Sequence, residues 1–283
     1  LSHVSRPIHA FVDVRPKGTA TKLLRTSLFS QDVPYGAILD LGHDICICSP
    51  SYTYMQLATR MDTAELLQVG MELCGSYSRW RLSPAYPSGL PHRAFEETQE
   101  YTYDLPPVMN AKRIEAFIER MRGHRGKRQA LAAARRLVNG SASQMETATY
   151  LLLCLPRRLG GYGLPKPLLN PLIIVSNPDG VKRRYPDLFW LGPNIDVEYN
   201  SDAEHSGPSA HYRDSKRMVA IVCNRITYLS ITTGQLFRAE DLDNAARGLA
   251  RLLKHRIRYT SSKWKNSRTR LRGAVLPPIE RRS

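Results

Sequence analysis

A chain of 283 residues, 42% hydrophobic and 23% charged, has the composition of a packed protein and the length for about two domains, which excludes wholesale disorder. No stretch approaches the roughly 18–20 uninterrupted apolar residues of a membrane span, and the N-terminal LSHVSRPIHA has no apolar signal core, so a cytoplasmic protein with no membrane partner is expected. The net charge of +16 is concentrated, with nine Lys/Arg against two acids in residues 112–136 and eleven against one in residues 251–283, a distribution that suits a polyanionic partner such as DNA. Without an initiator Met, the sequence is expected to begin inside a longer chain. Five scattered cysteines, most within apolar runs such as ICIC and LLLCL, read as buried thiols, and Cys46-x-Cys48 has no second ligand pair to complete a zinc site.

Short β-like patterns occupy residues 8–14, 37–41 and 44–48, with Pro34, Gly36 and Gly42 as turn residues between them. Residues 49–73 have helical spacing, with Asp62 as N-cap of a second helix that ends at Gly75. Residues 76–109 are Pro-rich and aperiodic and read as a linker, which closes a first unit of α+β character at 1–109. A basic helical connector follows over 110–140, as helices at 110–122 and 127–138 broken by Gly-His-Arg-Gly. In its first helix Ile114, Phe117, Ile118 and Met121 recur at i, i+3, i+4 and i+7 and form a core stripe. Lys112, Arg113, Arg125, Lys127 and Arg128 are then candidates for phosphate contacts.

From residue 141 the grammar changes. A helix at 143–155 and a Gly/Pro-rich loop precede strands LIIVSN, RYPDLFWL and IDVEYN, a helix at 211–224, strand ITYLSIT and a helix at 239–255. This α-β-β-β-α-β-α order predicts an α/β unit over 141–258, a mixed sheet flanked by helices. Residues 259–283 read as a basic tail in which Tyr259 and Trp264 stand among Lys263, Lys265, Arg268 and Arg270, rings for stacking on bases between charges for phosphates. Deletion of such a tail is expected to weaken DNA binding without unfolding the domain before it.

Ten residues separate Asp187 from Glu198, which suits neighbouring strands joined by a turn at Gly192-Pro193 and brings the two carboxylates side by side. Such a pair is what Mg²⁺ or Mn²⁺ requires, water and substrate phosphate completing the shell, and the ion activates water for phosphodiester hydrolysis. Glu146, on the preceding helix, is a third acid, and Ser143-x-x-Glu146 also fits a capping box. Asp187 lies near Arg183 and Arg184, with which it can also pair. Glu198 stands in an apolar strand, where an unpaired charge is costly. His205 and His211 fit water activation or phosphate binding, and Asp214 and Arg217 fit a helical i, i+3 ion pair.

Pro186-Asp187 and Glu198-Tyr199-Asn200, with Glu146 on a preceding helix, resemble the acidic motifs of the PD-(D/E)XK nuclease superfamily. More closely, GSASQMET, PDLFW, IDVEYNS, His205, the Asp214-to-Arg217 spacing and ITYLSIT look like bacterial proteins with a very-short-patch-repair endonuclease-like domain. The stretch from SPSYTYMQLA to GMELCGSY is similar to the AbiEi-antitoxin-like region that precedes such domains, so the resemblance spans residues 35–255. It implies a nuclease-like fold over 141–258, Asp187 and Glu198 as metal ligands, and Glu146, Asn200 and His205 completing the catalytic set. Asn200 departs from the pattern, which has Lys there and in this branch commonly Asp; Asn supplies neither a cation nor a negative charge. Two functions follow: a metal-dependent DNA endonuclease of defence or repair, or an AbiEi-type antitoxin or DNA-binding transcriptional regulator with an inactive nuclease fold and a toxin or regulatory partner.

Overall fold

Local capping signals set most of the helices. Asp62 accepts from the backbone N–H groups of Ala64 and Glu65 at 2.8 and 2.9 Å, and Glu65 Oε2 accepts from the Asp62 N–H at 2.9 Å, so a reciprocal box starts the second helix where the sequence places it. Ser49, Asn110 and Ser143 cap three more helices through their side-chain oxygens. The computed structural model describes residues 8–12, 21–28, 33–79, 102–177, 180–201, 218–257 and 261–277. The expected features at His205, His211, Asp214, Arg217 and Tyr259 lie outside the described residues.

Two small two-stranded sheets come first, β1 (Ile8–Val12) parallel to β2 (Leu24–Leu28) and β3 (Ile38–Asp40) antiparallel to β4 (Cys46–Cys48). The helical hairpin is α1 (Pro50–Leu57) and α2 (Thr63–Leu73), and the connector helices are α3 (Ala111–Arg120) and α4 (Lys127–Ala134). Ile114, Phe117, Ile118 and Met121 are all buried, as their spacing predicts. They share one core cluster with Leu66, Met71 and the later helices.

α5 (Gln144–Cys154) is apolar nearly all round and buried from Glu146 to Cys154, as a helix enclosed on every side must be. A short 3-10 turn (Arg157–Leu159) leads to β5 (Leu168–Leu169), the hairpin β6 (Ile173–Asn177) and β7 (Gly180–Arg184), then β8 (Leu188–Trp190), β9 (Ile195–Asn200), a helix described over 218–223 (α6), β10 (Thr227–Thr232), α7 (Thr233–Phe237), α8 (Ala239–Leu252) and α9 (Ser262–Val275). The four-stranded sheet runs β10-β9-β8-β5, with β10 parallel to β9 and the other two pairs antiparallel, so the second half carries the expected mixed sheet with helices. Leu188, Trp190, Ile195, Val197 and Ile231 face the main core, whereas Phe189 faces a second cluster with Val175, Ala220 and Ile221.

Several expectations change. β2 and β7 were not anticipated, and the strand expected over RYPDLFWL begins only at Leu188 because Pro186 has no N–H for a ladder. Residues 261–277 are no free tail: Trp264, Leu271 and Val275 of α9 are buried in the main core. Cys74 and Cys154 are buried, but Cys46 and Cys223 are exposed. Among the described residues, no helix is long and apolar enough to cross a membrane.

Candidate active site

The register of β8 and β9 pairs Leu188 with Val197, Phe189 with Asp196 and Trp190 with Ile195. Asp187 immediately precedes this ladder, next to Leu188, and Glu198 follows Val197 on β9. The turn between the strands closes with Asn194 at φ 53° and its N–H on the Leu191 carbonyl at 3.3 Å. Because alternate residues of a strand share a face, Asp196, Glu198 and Asn200 lie on the face that carries Phe189. Asp187 Oδ2 accepts from the Tyr199 N–H at 2.8 Å, which ties the chain ahead of β8 to β9.

Asp196 is fully buried and Glu198 is 5% exposed. Burying a charge costs several kcal/mol unless it is paired. Arg184, at the end of β7, answers both: one of its terminal nitrogens donates to Asp196 Oδ2 and to Glu198 Oε1, each at 2.7 Å. It does not pair with Asp187, the partner its position in sequence suggests. Sequence reasoning missed Asp196 and Arg184. The alternation of IDVEYN carries a signal for Asp196, two residues before Glu198, but nothing local marks Arg184, whose partners lie across the fold.

Glu146 stands at the first turn of α5. The Ser143 hydroxyl accepts from its N–H at 3.1 Å, but its carboxylate reaches past Ser143, and Oε2 accepts from the Ala142 N–H at 2.8 Å and from Asn170 Nδ2 at 2.5 Å. Asn170 in turn donates its N–H to the Asp187 carbonyl at 3.2 Å, so one residue links the helix to the loop that holds Asp187. Burial pushes the Glu146 carboxyl above the ordinary range; the hydrogen bonds from Ala142, Asn170 and Ser143 pull it back in part, and repulsion from Glu198 adds to the rise. Asn200 Nδ2 donates to Ser230 Oγ on β10 at 2.6 Å. Among the described residues no three His, Cys, Asp or Glu side chains converge on one metal position.

The basic candidates divide. Lys112, Arg113, Arg125 and Arg128 are exposed. Lys127 is committed, its ammonium donating to the carbonyl oxygens of Glu119, at 2.8 Å, and Met121, where it closes the end of α3. Lys263, Lys265 and Arg270 are exposed on α9. Arg268 pairs with Asp243, and its guanidinium lies 4.7 Å from the Trp264 ring centre. Trp264 is buried and donates Nε1–H to the Gly161 carbonyl at 3.0 Å, so the expectation that it stacks on bases is corrected.

No protein-family model, no curated protein and no solved structure matches this chain.

Proposed function

We propose that the chain is a metal-dependent DNA endonuclease of the PD-(D/E)XK type, hydrolysing phosphodiester bonds with Mg²⁺ or Mn²⁺. The observation that supports this reading is that Asp187 immediately precedes β8, whose Leu188 pairs with Val197 next to Glu198, and is tied to β9 by the Tyr199 N–H on its Oδ2 at 2.8 Å. The order of elements supports it: α5 ahead of three antiparallel strands, then a helix and a strand parallel to the last of them. Carboxylate oxygens are the donors a hard divalent ion takes, so Asp187 and Glu198 fit it chemically. When bound, that ion supplies an activated water and neutralises charge on the phosphate. Arg184 orients Glu198 and keeps a cation beside the site where the superfamily pattern has Lys and this chain has Asn200. Glu146, whose carboxyl is pushed up by burial and by repulsion from Glu198, is assigned the proton-exchange role of this reading.

A nicking assay on single-stranded, double-stranded and mismatched DNA tests the reading. Wild type should cut with Mg²⁺ or Mn²⁺ and not with chelator, and Asp187→Asn or Glu198→Gln should lower the rate by about 100-fold or more, the scale of losing a metal or acid–base function. Clean, folded wild type that cuts none of these substrates ends the proposal. Two contacts favour a second reading, a DNA-binding regulator of the AbiEi-antitoxin type with an inactive nuclease fold: Arg184 already neutralises Glu198, and the Asn200 amide is committed to Ser230. Salt-sensitive DNA binding without cleavage is its expected outcome.

A further inference from the structure

At the end of α5 opposite Glu146, eight residues and about 12 Å along the helix axis, an open cleft of about 400 Å³ is lined by Arg135, Arg136, Arg158, Lys166, Tyr150 and Cys154. Its wall holds four cations and no carboxylate. Arg135 is answered from outside the cleft by Glu115 and Glu119 at 3.1 and 2.8 Å. The other three have no carboxylate partner among the described residues. Lys166 donates to the Arg135 carbonyl at 2.6 Å, and the Tyr150 hydroxyl donates to the Arg136 carbonyl at 2.5 Å, so the end of α4 is fixed as one wall. Arg136 donates through Nη1 to the Ala132 carbonyl, which leaves its Nε buried with no partner, while Arg158 is exposed at the mouth.

We propose that this cleft is a phosphate-binding site, with Arg136 and Arg158 as the ligand-contacting cations and Lys166 as the residue that holds the wall. Guanidinium groups suit phosphate because each presents two parallel N–H donors to two oxygens. Besides desolvation, which is the largest cause for both groups, Arg158 disfavours the charged form of Arg136, whereas at Lys166 the attraction of Glu115 exceeds the repulsion from Arg136, so the net repulsion in the cleft lies between Arg136 and Arg158. An anion removes that repulsion. The site is separate from the acids at the other end of α5 and does not depend on cleavage.

The test is titration of the full chain with inorganic pyrophosphate, read by calorimetry and by thermal shift, since a ligand of the folded state raises the melting temperature. Wild type should bind saturably. Arg158→Gln, at an exposed position that leaves the fold intact, should weaken binding about tenfold, as loss of a charge-assisted contact does. Arg136→Gln should weaken it at least as much, and Lys263→Gln, a cation on α9 outside the cleft, should leave it unchanged. If a short DNA duplex competes with pyrophosphate and Arg158→Gln weakens both, the natural source of the phosphate is a nucleic-acid backbone. If only pyrophosphate is affected, the source is a free phosphate compound. The absence of saturable binding, or equal binding by wild type and Arg158→Gln, overturns the proposal.

Discussion

α3 and α4 carry most of their cations outward, whereas α9 commits part of its charge to the body of the protein. Lys112, Arg113 and Arg128 are exposed above a buried stripe of Ile114, Phe117 and Ile118. On α9, Trp264, Leu271 and Val275 are buried, Arg268 is paired with Asp243, and Arg272 donates to the Phe237 carbonyl at 2.6 Å. The seat of α9 is the Gly160-Gly161 turn, where a Cβ on Gly160 would overlap the Ser267 carbonyl and one on Gly161 the Leu155 carbonyl. Two segments of similar charge density therefore have different work. Charge density alone does not measure a nucleic-acid surface, because a long basic side chain is also a good structural tie between buried elements.

The largest effect that sharpens this contrast is expected from Trp264→Ala, which empties the seat of α9 and should cost about 3–5 kcal/mol in denaturant unfolding. A stability within about 0.5 kcal/mol of wild type would mean that α9 is the dispensable tail its composition suggests. Arg184→Met comes next, as the cation shared by two buried carboxylates. It removes the Arg184 guanidinium from buried Asp196 and Glu198 and should cost about 3 kcal/mol, of which a triple variant that also carries Asp196→Asn and Glu198→Gln recovers a large part. Arg268→Gln removes one half-buried ion pair and a ring contact, and thermal unfolding should register a loss of about 1–2 kcal/mol. The smallest stability effect belongs to α3 and α4: Lys112→Gln, Arg113→Gln and Arg128→Gln should each stay within about 0.5 kcal/mol of wild type. Their effect lies in DNA affinity, whose salt dependence should become shallower by about 0.9 per phosphate contact removed. If Lys263→Gln, Lys265→Gln and Arg270→Gln lower the slope and the α3–α4 set does not, the two segments have exchanged roles.

The sequence determined by itself whatever depends on neighbours within a few positions. Asp62 and Glu65 fix a helix start, Ile114 to Met121 a buried stripe, Ser143 the start of α5, and the strand patterns around Leu188 and Ile195 a pair of neighbouring strands, because capping and amphipathic periodicity act over one or two turns. The pairing of the strand that follows Asp187 with the strand that holds Glu198 was legible for the same reason, since a short turn between two strands leaves few registers. Tertiary structure alone decided the rest. Arg184 meets Asp196 and Glu198 only because the β6–β7 hairpin folds back beside the sheet, α9 is buried only because a turn about a hundred residues earlier has no side chains to exclude it, and Arg136, Arg158 and Lys166 share a cleft only because α4, α5 and the loop after it end together. No local pattern encodes these meetings, whose energies arise from groups far apart along the chain.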